Sequence, residues 1–280
     1  MLKKKIIRII PFLDIKNGIL IKGINLEGLR ILGKVEDFAE QYYKDGADEI
    51  CYIDNVATLY GTNNLVKYIK STAKKLFIPL CVAGGIRNIN TALEMFRAGA
   101  DKIIVNSAVI ENISFLKNLV KKFGSANISV QIQSIKISKN YMISKSNGRD
   151  VKNISPLDWA RRLEDAGAGE IIITSVNNEG LMKGFDINIT KKIAEAVSLP
   201  VIAHGGAGSI EDIYEVIKSS NISGVGIASM LHYDAVKYLP KLKTKIGNKY
   251  FLDQVKLIKR KKILLQEIKN FLIKKNINIR

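Results

Sequence analysis

The 280-residue chain is poor in the residues that staple, ligate or kink: two cysteines, two histidines, one tryptophan and five prolines. Two cysteines cannot build a disulfide-rich scaffold. Cys51 and Cys81 each lie inside an apolar strand-like run, where a cysteine reads as a small buried hydrophobe. Neither has a metal-ligand neighbour in the sequence, and the two histidines, His204 and His232, stand far from both, so no metal and no cofactor are expected. No apolar run approaches the ~18 residues that span a bilayer. Met1-Leu2-Lys3-Lys4-Lys5 leads into a strand without a signal-peptide core, so a cytoplasmic protein with no transmembrane segment is expected.

What is present is apolar content of 47%, ample for a large core, and a net charge of +18. The charge is uneven: Lys237 to Arg280 holds 14 Lys/Arg against Asp253 and Glu267, so +12 of the +18 belongs to a tail. Within it Lys259-Arg260-Lys261-Lys262 is short and has no interleaved aromatics, which argues against nucleic acid. Leu252, Val255, Ile258, Leu265, Ile268 and Leu272 recur at helical spacing and predict an amphipathic helix over Tyr250–Ile273. A helix packed on the body of the protein or on a partner subunit is the expectation; a membrane-surface helix or an anionic-partner contact are the alternatives.

Ahead of the tail, strand-like and helix-like runs alternate, the mark of parallel β-α units. Strands are predicted near Ile7–Leu13, Ile50–Asp54, Leu80–Ala83, Lys102–Val105, Ile128–Gln133, Ile171–Ser175, Val201–Ala203 and Val225–Ala228. Helices are predicted near Val35–Lys44, Leu65–Lys75, Ile89–Ala98, Ser114–Phe123, Pro156–Ala166, Ile187–Val197, Ile210–Ser219 and Ala235–Leu242. The halves repeat. Gly46-Ala47-Asp48-Glu49-Ile50 returns as Gly167-Ala168-Gly169-Glu170-Ile171, Gly84-Gly85 as Gly205-Gly206, and Asn106-Ser107-Ala108 as Ala228-Ser229-Met230. A period this long means two four-strand halves, and two such halves close into a TIM (β/α)8 barrel. The barrel is expected over 1–245, with half-barrels of about 1–125 and 126–245, and a basic helical extension over 246–280.

Gly84-Gly85 and Gly205-Gly206 each follow a strand, and Asn106-Ser107 and Ala228-Ser229 close the next strand in each half. Glycine there lets backbone N–H groups approach an anion, so two phosphate sites are expected on opposite sides of the barrel mouth, for a ligand phosphorylated at both ends. Between them stand the strand-end residues Asp14, Asp54, Gln133 and Ser175. Asp14 and Asp54 are candidate acid-base groups. Asp54 reads equally well as a partner for loop backbone.

Pro11-Phe12-Leu13-Asp14-Ile15-Lys16-Asn17-Gly18, Ala83-Gly84-Gly85-Ile86, Gly99-Ala100-Asp101-Lys102, the stretch from Gly180 to Gly184-Phe185-Asp186, and Gly205-Gly206-Ala207-Gly208 resemble the cyclase subunit of imidazole glycerol phosphate synthase and its relatives. The resemblance runs from Lys5 to about Tyr233. It implies a duplicated half-barrel that receives ammonia, along its axis, from a glutaminase subunit docked on the opposite end. It implies that Arg8, Glu49, Lys102 and Glu170 form the charged ring at the ammonia entrance, with Asp101 at the glutaminase interface and Gly180 among the phosphate contacts.

The match also exposes a departure. The family pairs an aspartate on the first strand with one on the fifth; Asp14 matches the first, and Gln133 stands in the place of the second. An amide does not exchange a proton near neutral pH, so the expected activity is a lyase/cyclase type with reduced or altered chemistry. Glu179-Gly180 replaces the family's Asp-Gly, Leu181 stands where a hydroxyl residue is usual, and His204 replaces a small residue. Ser155-Pro156-Leu157-Asp158-Trp159-Ala160 and Met182-Lys183-Gly184-Phe185-Asp186 look more like paralogues that work with a glutaminase and a separate sugar amidotransferase, turning an acetamido into an acetamidino group. The leading expectation is an ammonia-conducting barrel of such a system. A histidine-pathway cyclase and a non-enzymatic basic adaptor are the alternatives.

Overall fold

The computed structural model describes residues 5–54, 65–240 and 263–280. Its first half runs β1 (Arg8–Lys16), β2 (Ile19–Ile24), β3 (Glu27–Lys34), α1 (Val35–Lys44), β4 (Ile50–Asp54), α2 (Leu65–Ala73), β5 (Leu80–Ala83), α3 (Ile89–Ala98), β6 (Lys102–Val105), α4 (Ser107–Glu111) and α5 (Ile113–Phe123). The second runs β7 (Ile128–Ile137), β8 (Asn140–Lys145), β9 (Asp150–Lys152), α6 (Pro156–Asp165), β10 (Glu170–Ser175), α7 (Ile187–Ala196), β11 (Val201–His204), α8 (Ile210–Ser219), β12 (Gly224–Ile227), α9 (Ser229–Ala235) and, after the gap in description, α10 (Leu265–Lys274).

Strands β1, β4, β5, β6, β7, β10, β11 and β12 pair in that order, all parallel, and β12 pairs back to β1 through Arg8↔Gly224 to Pro11↔Ile227. This is the (β/α)8 barrel. Its strands are nearly continuous apolar runs because both faces are covered, the outer by helices and the inner by the packed lumen. The lumen holds a separate apolar cluster including Ile10, Phe12, Cys51, Cys81, Ile172 and Ile202.

Local signals explain the helix starts. The Ser155 side chain accepts from Leu157 N and Pro156 opens α6, while Ser209 and Asp212 form a reciprocal capping box at α8. The Asn17-Gly18 pair is a two-residue hairpin loop with φ of 51° and 75°, joining Lys16 to Ile19. The β2–β3 hairpin that it starts and the β8–β9 arm after β7 were not expected: β3, β8 and β9 are partly exposed and mixed in polarity, and β2 is a short buried run interrupted by Lys22. They extend the first strand of each half in the same way.

Where a helix was expected over Ala235–Leu242, α9 ends at Ala235 and turns and a bend follow to residue 239; Lys241 and Leu242 lie outside the described residues. Part of the tail helix expected over Tyr250–Ile273 is α10, packed on the barrel; Leu252, Val255 and Ile258 lie outside the described residues. Leu265, Ile268 and Leu272 join the main core. Helix α10 touches α8 on one side, and on the other Lys269 Nζ reaches Asp48 Oδ1 at 2.6 Å while Gln266 lies beside Gly46, just past α1. It therefore fills the outer ring between α8 and α1, and Ile279 bridges to Ile7 at the foot of β1.

Candidate active site

At the N-terminal end of the barrel the four charges expected to form a ring are interlocked. Arg8 Nη1 donates to Glu49 Oε2 at 2.9 Å and Nη2 to Glu170; Lys102 Nζ lies 3.2 and 3.3 Å from the two Glu49 oxygens and 3.8 Å from Glu170 Oε1. Ser129 Oγ donates to Glu170 Oε1 at 3.0 Å. Burial works against the charges of Arg8 and Lys102, but Glu170 and Glu49 outweigh it and hold both cations above their usual pKa. The Lys102 side chain is 19% exposed and makes the longest contacts, so it is the member freest to swing aside. Asp101 is exposed on the same end, its Oδ2 accepting from Leu80 N at 2.8 Å, beside a hollow lined by Ala73, Leu76, Ile78 and Phe77, the last 84% exposed.

The opposite end carries a cluster only partly legible in the sequence. Lys22, on β2 and 1% exposed, lies 2.9 Å from Asp14 Oδ2 and also binds Glu179. Burial opposes its charge, yet Asp14 and Glu179 together raise its pKa, and Lys22 and His204 lower that of Glu179 against its own burial. Asp14 is thus a salt-bridged carboxylate at the top of the lumen. Lys22 was missed because it is a single lysine in an apolar run; the Asn17-Gly18 hairpin is what folds its strand back onto Asp14.

His204 stacks on Phe12 with ring centroids 4.4 Å apart. Its Nδ1 lies 3.0 Å from Thr174 Oγ1, which also accepts from the Gln131 amide at 2.9 Å. Its Nε2 is buried without a hydrogen-bond partner, 3.9 Å from Glu179 Oε2. Burial keeps His204 below its usual pKa and neutral at pH 7. Deeper in the wall, His232 donates from Nε2 to Phe12 O at 2.8 Å and meets Tyr42 Oη at 2.7 Å; burial lowers its pKa to about 4.

The expected phosphate residues gather in two pockets. One is lined by Asp54, Gly84, Gly85, Asn106, Ser107 and Gln133; the other by Gly180, His204, Gly205, Gly206, Ala228 and Ser229. Asn106 (φ −142°, ψ −84°) and Ala228 (φ −129°, ψ −90°) share one backbone conformation, so the duplication reaches the dihedral angles. Gly206, at φ 120°, would place a Cβ 2.1 Å from Gly184 O, which explains glycine there. Asn106 Oδ1, in the first pocket, is buried without a hydrogen-bond partner. Gln133 Oε1 accepts from Gly148 N at 3.1 Å, tying down the loop after β8, and Asp54 is buried at the rim of the first pocket.

A model of the family described as "Histidine biosynthesis protein" matches residues 8–237. The chain belongs to that family. Among its relatives, the imidazole glycerol phosphate synthase subunit HisF of Legionella pneumophila is 43% identical over 207 residues, 74% of this chain and 98% of the relative. The HisF subunit of Petrotoga mobilis is 39% identical over 228 residues, 81% of this chain and 90% of its own. That of Prochlorococcus marinus MIT 9515 is 36% identical over 277 residues, 98% of this chain and 97% of its own, so this alignment runs through the basic tail and α10 as well as the barrel. The protein is HisF-like in sequence and in fold. Among the described residues no helix is long and apolar enough to cross a membrane.

Proposed function

We propose that this HisF-like chain is the ammonia-conducting synthase subunit of a glutamine amidotransferase system. The carrying observation is the neutral ring of Arg8, Glu49, Lys102 and Glu170 below an apolar lumen that leads up to Asp14 and Lys22. Ammonia is small and uncharged; it crosses an apolar lumen that excludes ammonium, because an unpaired charge there has a high desolvation cost. Lys102 acts as the gate. A glutaminase docks on the floor, with Asp101 and the hollow at Phe77 on its contact surface. The relatives' shared name as synthase subunits supports this assignment.

The two glycine-walled pockets hold a phosphorylated ligand, with Gly84, Gly85, Asn106 and Ser107 at one end and Gly180, Gly205, Gly206, Ala228 and Ser229 at the other. For the acceptor we favour a surface or flagellar sugar whose acetamido group becomes acetamidino on a separate amidotransferase. Its support is Gln133: a side chain that fixes a loop and carries no titratable proton does not supply the second acid-base group for ring closure. The histidine-pathway cyclase is the second reading, favoured by the names of the relatives. An assay with ammonium and the aminoimidazole ribonucleotide substrate separates the two. The sugar reading predicts turnover far below that of a histidine-pathway enzyme, and comparable turnover would sink it.

A further inference from the structure

Read along the chain, Cys51 and Cys81 are isolated thiols 30 residues apart. In the barrel they stand side by side: they are register partners on the adjacent strands β4 and β5, and both point into the lumen. Glu49 lies two residues before Cys51, hence on the same face, and the Cys81 thiol already donates to Glu49 Oε1. One donor atom from each of Glu49, Cys51 and Cys81 lies within 4.8 Å of the other two, all three residues buried. Donors on a tetrahedral zinc ion stand about 3.6–3.8 Å apart, and the hydrogen-bonded Cys81–Glu49 pair, closer than that, opens to admit the ion.

We propose that Glu49, Cys51 and Cys81 form a binding site for one thiophilic cation of the zinc or cadmium class, set on the lumen wall at β4 and β5 just above the charged ring. Binding exchanges the cation for the two thiol protons: two S–H bonds break, two metal–sulfur bonds form, and two protons leave to solvent. Burial pushes both thiols above their usual pKa, so both carry a proton to release. Charge stays balanced. The two cations and two carboxylates of the ring cancel, and a divalent ion with two thiolates adds nothing net. Glu49 Oε2 takes Arg8 at 2.9 Å, and Oε1, which accepts from Cys81 and from Lys102 Nζ at 3.2 Å, has a lone pair freed for the cation when the thiol proton leaves. Three protein ligands leave the fourth position for water or ammonia. A cation there narrows the lumen beside the ring, a consequence that rests on the conduit reading above.

The test titrates the reduced full-length chain with Cd2+, because thiolate bound to cadmium gives an ultraviolet charge-transfer band that a carboxylate does not. The expected result is one Cd2+ per chain with that band, reversed by Zn2+. Cys51→Val and Cys81→Ala keep the lumen apolar, and each is expected to weaken binding by at least roughly tenfold. Wild-type protein without the band, or a band unchanged in either variant, overturns the site. With glutaminase present, Zn2+ is expected to reduce the glutamine-driven reaction and spare the ammonium-driven one. Cadmium binding with equal loss in both reactions retains the site and rejects the conduit.

Discussion

At the scale of single residues the account turns on charges that exist only because their partners do. Lys22 is the clearest case: 1% exposed, it neutralises Asp14 and Glu179 at the barrel mouth. Lys22→Met leaves two buried carboxylates without their cation and is expected to cost about 3–5 kcal/mol, read from the urea midpoint at pH 7. Lys22→Arg, which keeps the charge but adds bulk, is expected to cost less; equal losses would mean that packing, and not charge, is what Lys22 supplies. His232 gives a pH prediction. Its folded pKa of about 4 lies below the ordinary ~6.5, so below pH 6.5 the unfolded chain takes a proton that the folded one refuses. Its share of stability is therefore complete above pH 6.5 and falls by about 3 kcal/mol as pH drops toward 4. His232→Gln is expected to flatten the stability curve over that window, and parallel curves for the two proteins would contradict the assignment.

At the scale of elements, how much was legible depended on whether an element is buried on both faces. The eight barrel strands announce themselves as apolar runs, and the expected bounds of α1, α3 and α8 coincide with the observed ones. The β2–β3 and β8–β9 arms were not legible, since strands such as Glu27–Lys34 alternate too weakly to stand out from loop. That omission hid Lys22, and with it the true environment of Asp14. The ring was legible only through family resemblance: nothing in the separate segments around Arg8, Glu49, Lys102 and Glu170 says that they meet. The tail was half legible. Its apolar face was visible, but its place beside α1 depends on contacts more than 200 residues apart in sequence. Ile268 is fully buried in α10, and Ile268→Ala is expected to destabilise the whole barrel by about 2–5 kcal/mol. Thermal unfolding in a single shifted transition checks this. An unshifted barrel transition would make α10 an appendage.

At the scale of the molecule, the duplication places matched pockets on opposite sides of the mouth and leaves the floor for a partner. The two ends have different burdens. In the proposed function the mouth holds its ligand through backbone groups that tolerate substitutions such as His204 and Leu181, whereas the floor works through four side chains that must balance. On that reading chemistry at the mouth is the part that can change while conduction is kept, and Gln133 marks the change. The central claim is conduction, and the most direct measurement compares product formed from glutamine with product formed from ammonium chloride. It is made in the reaction reconstituted with glutaminase, using wild-type protein and Lys102→Ala. The account predicts a severalfold change in the glutamine-driven rate with the ammonium-driven rate near wild type. Equal loss in both would mean that the ring only holds the barrel floor together.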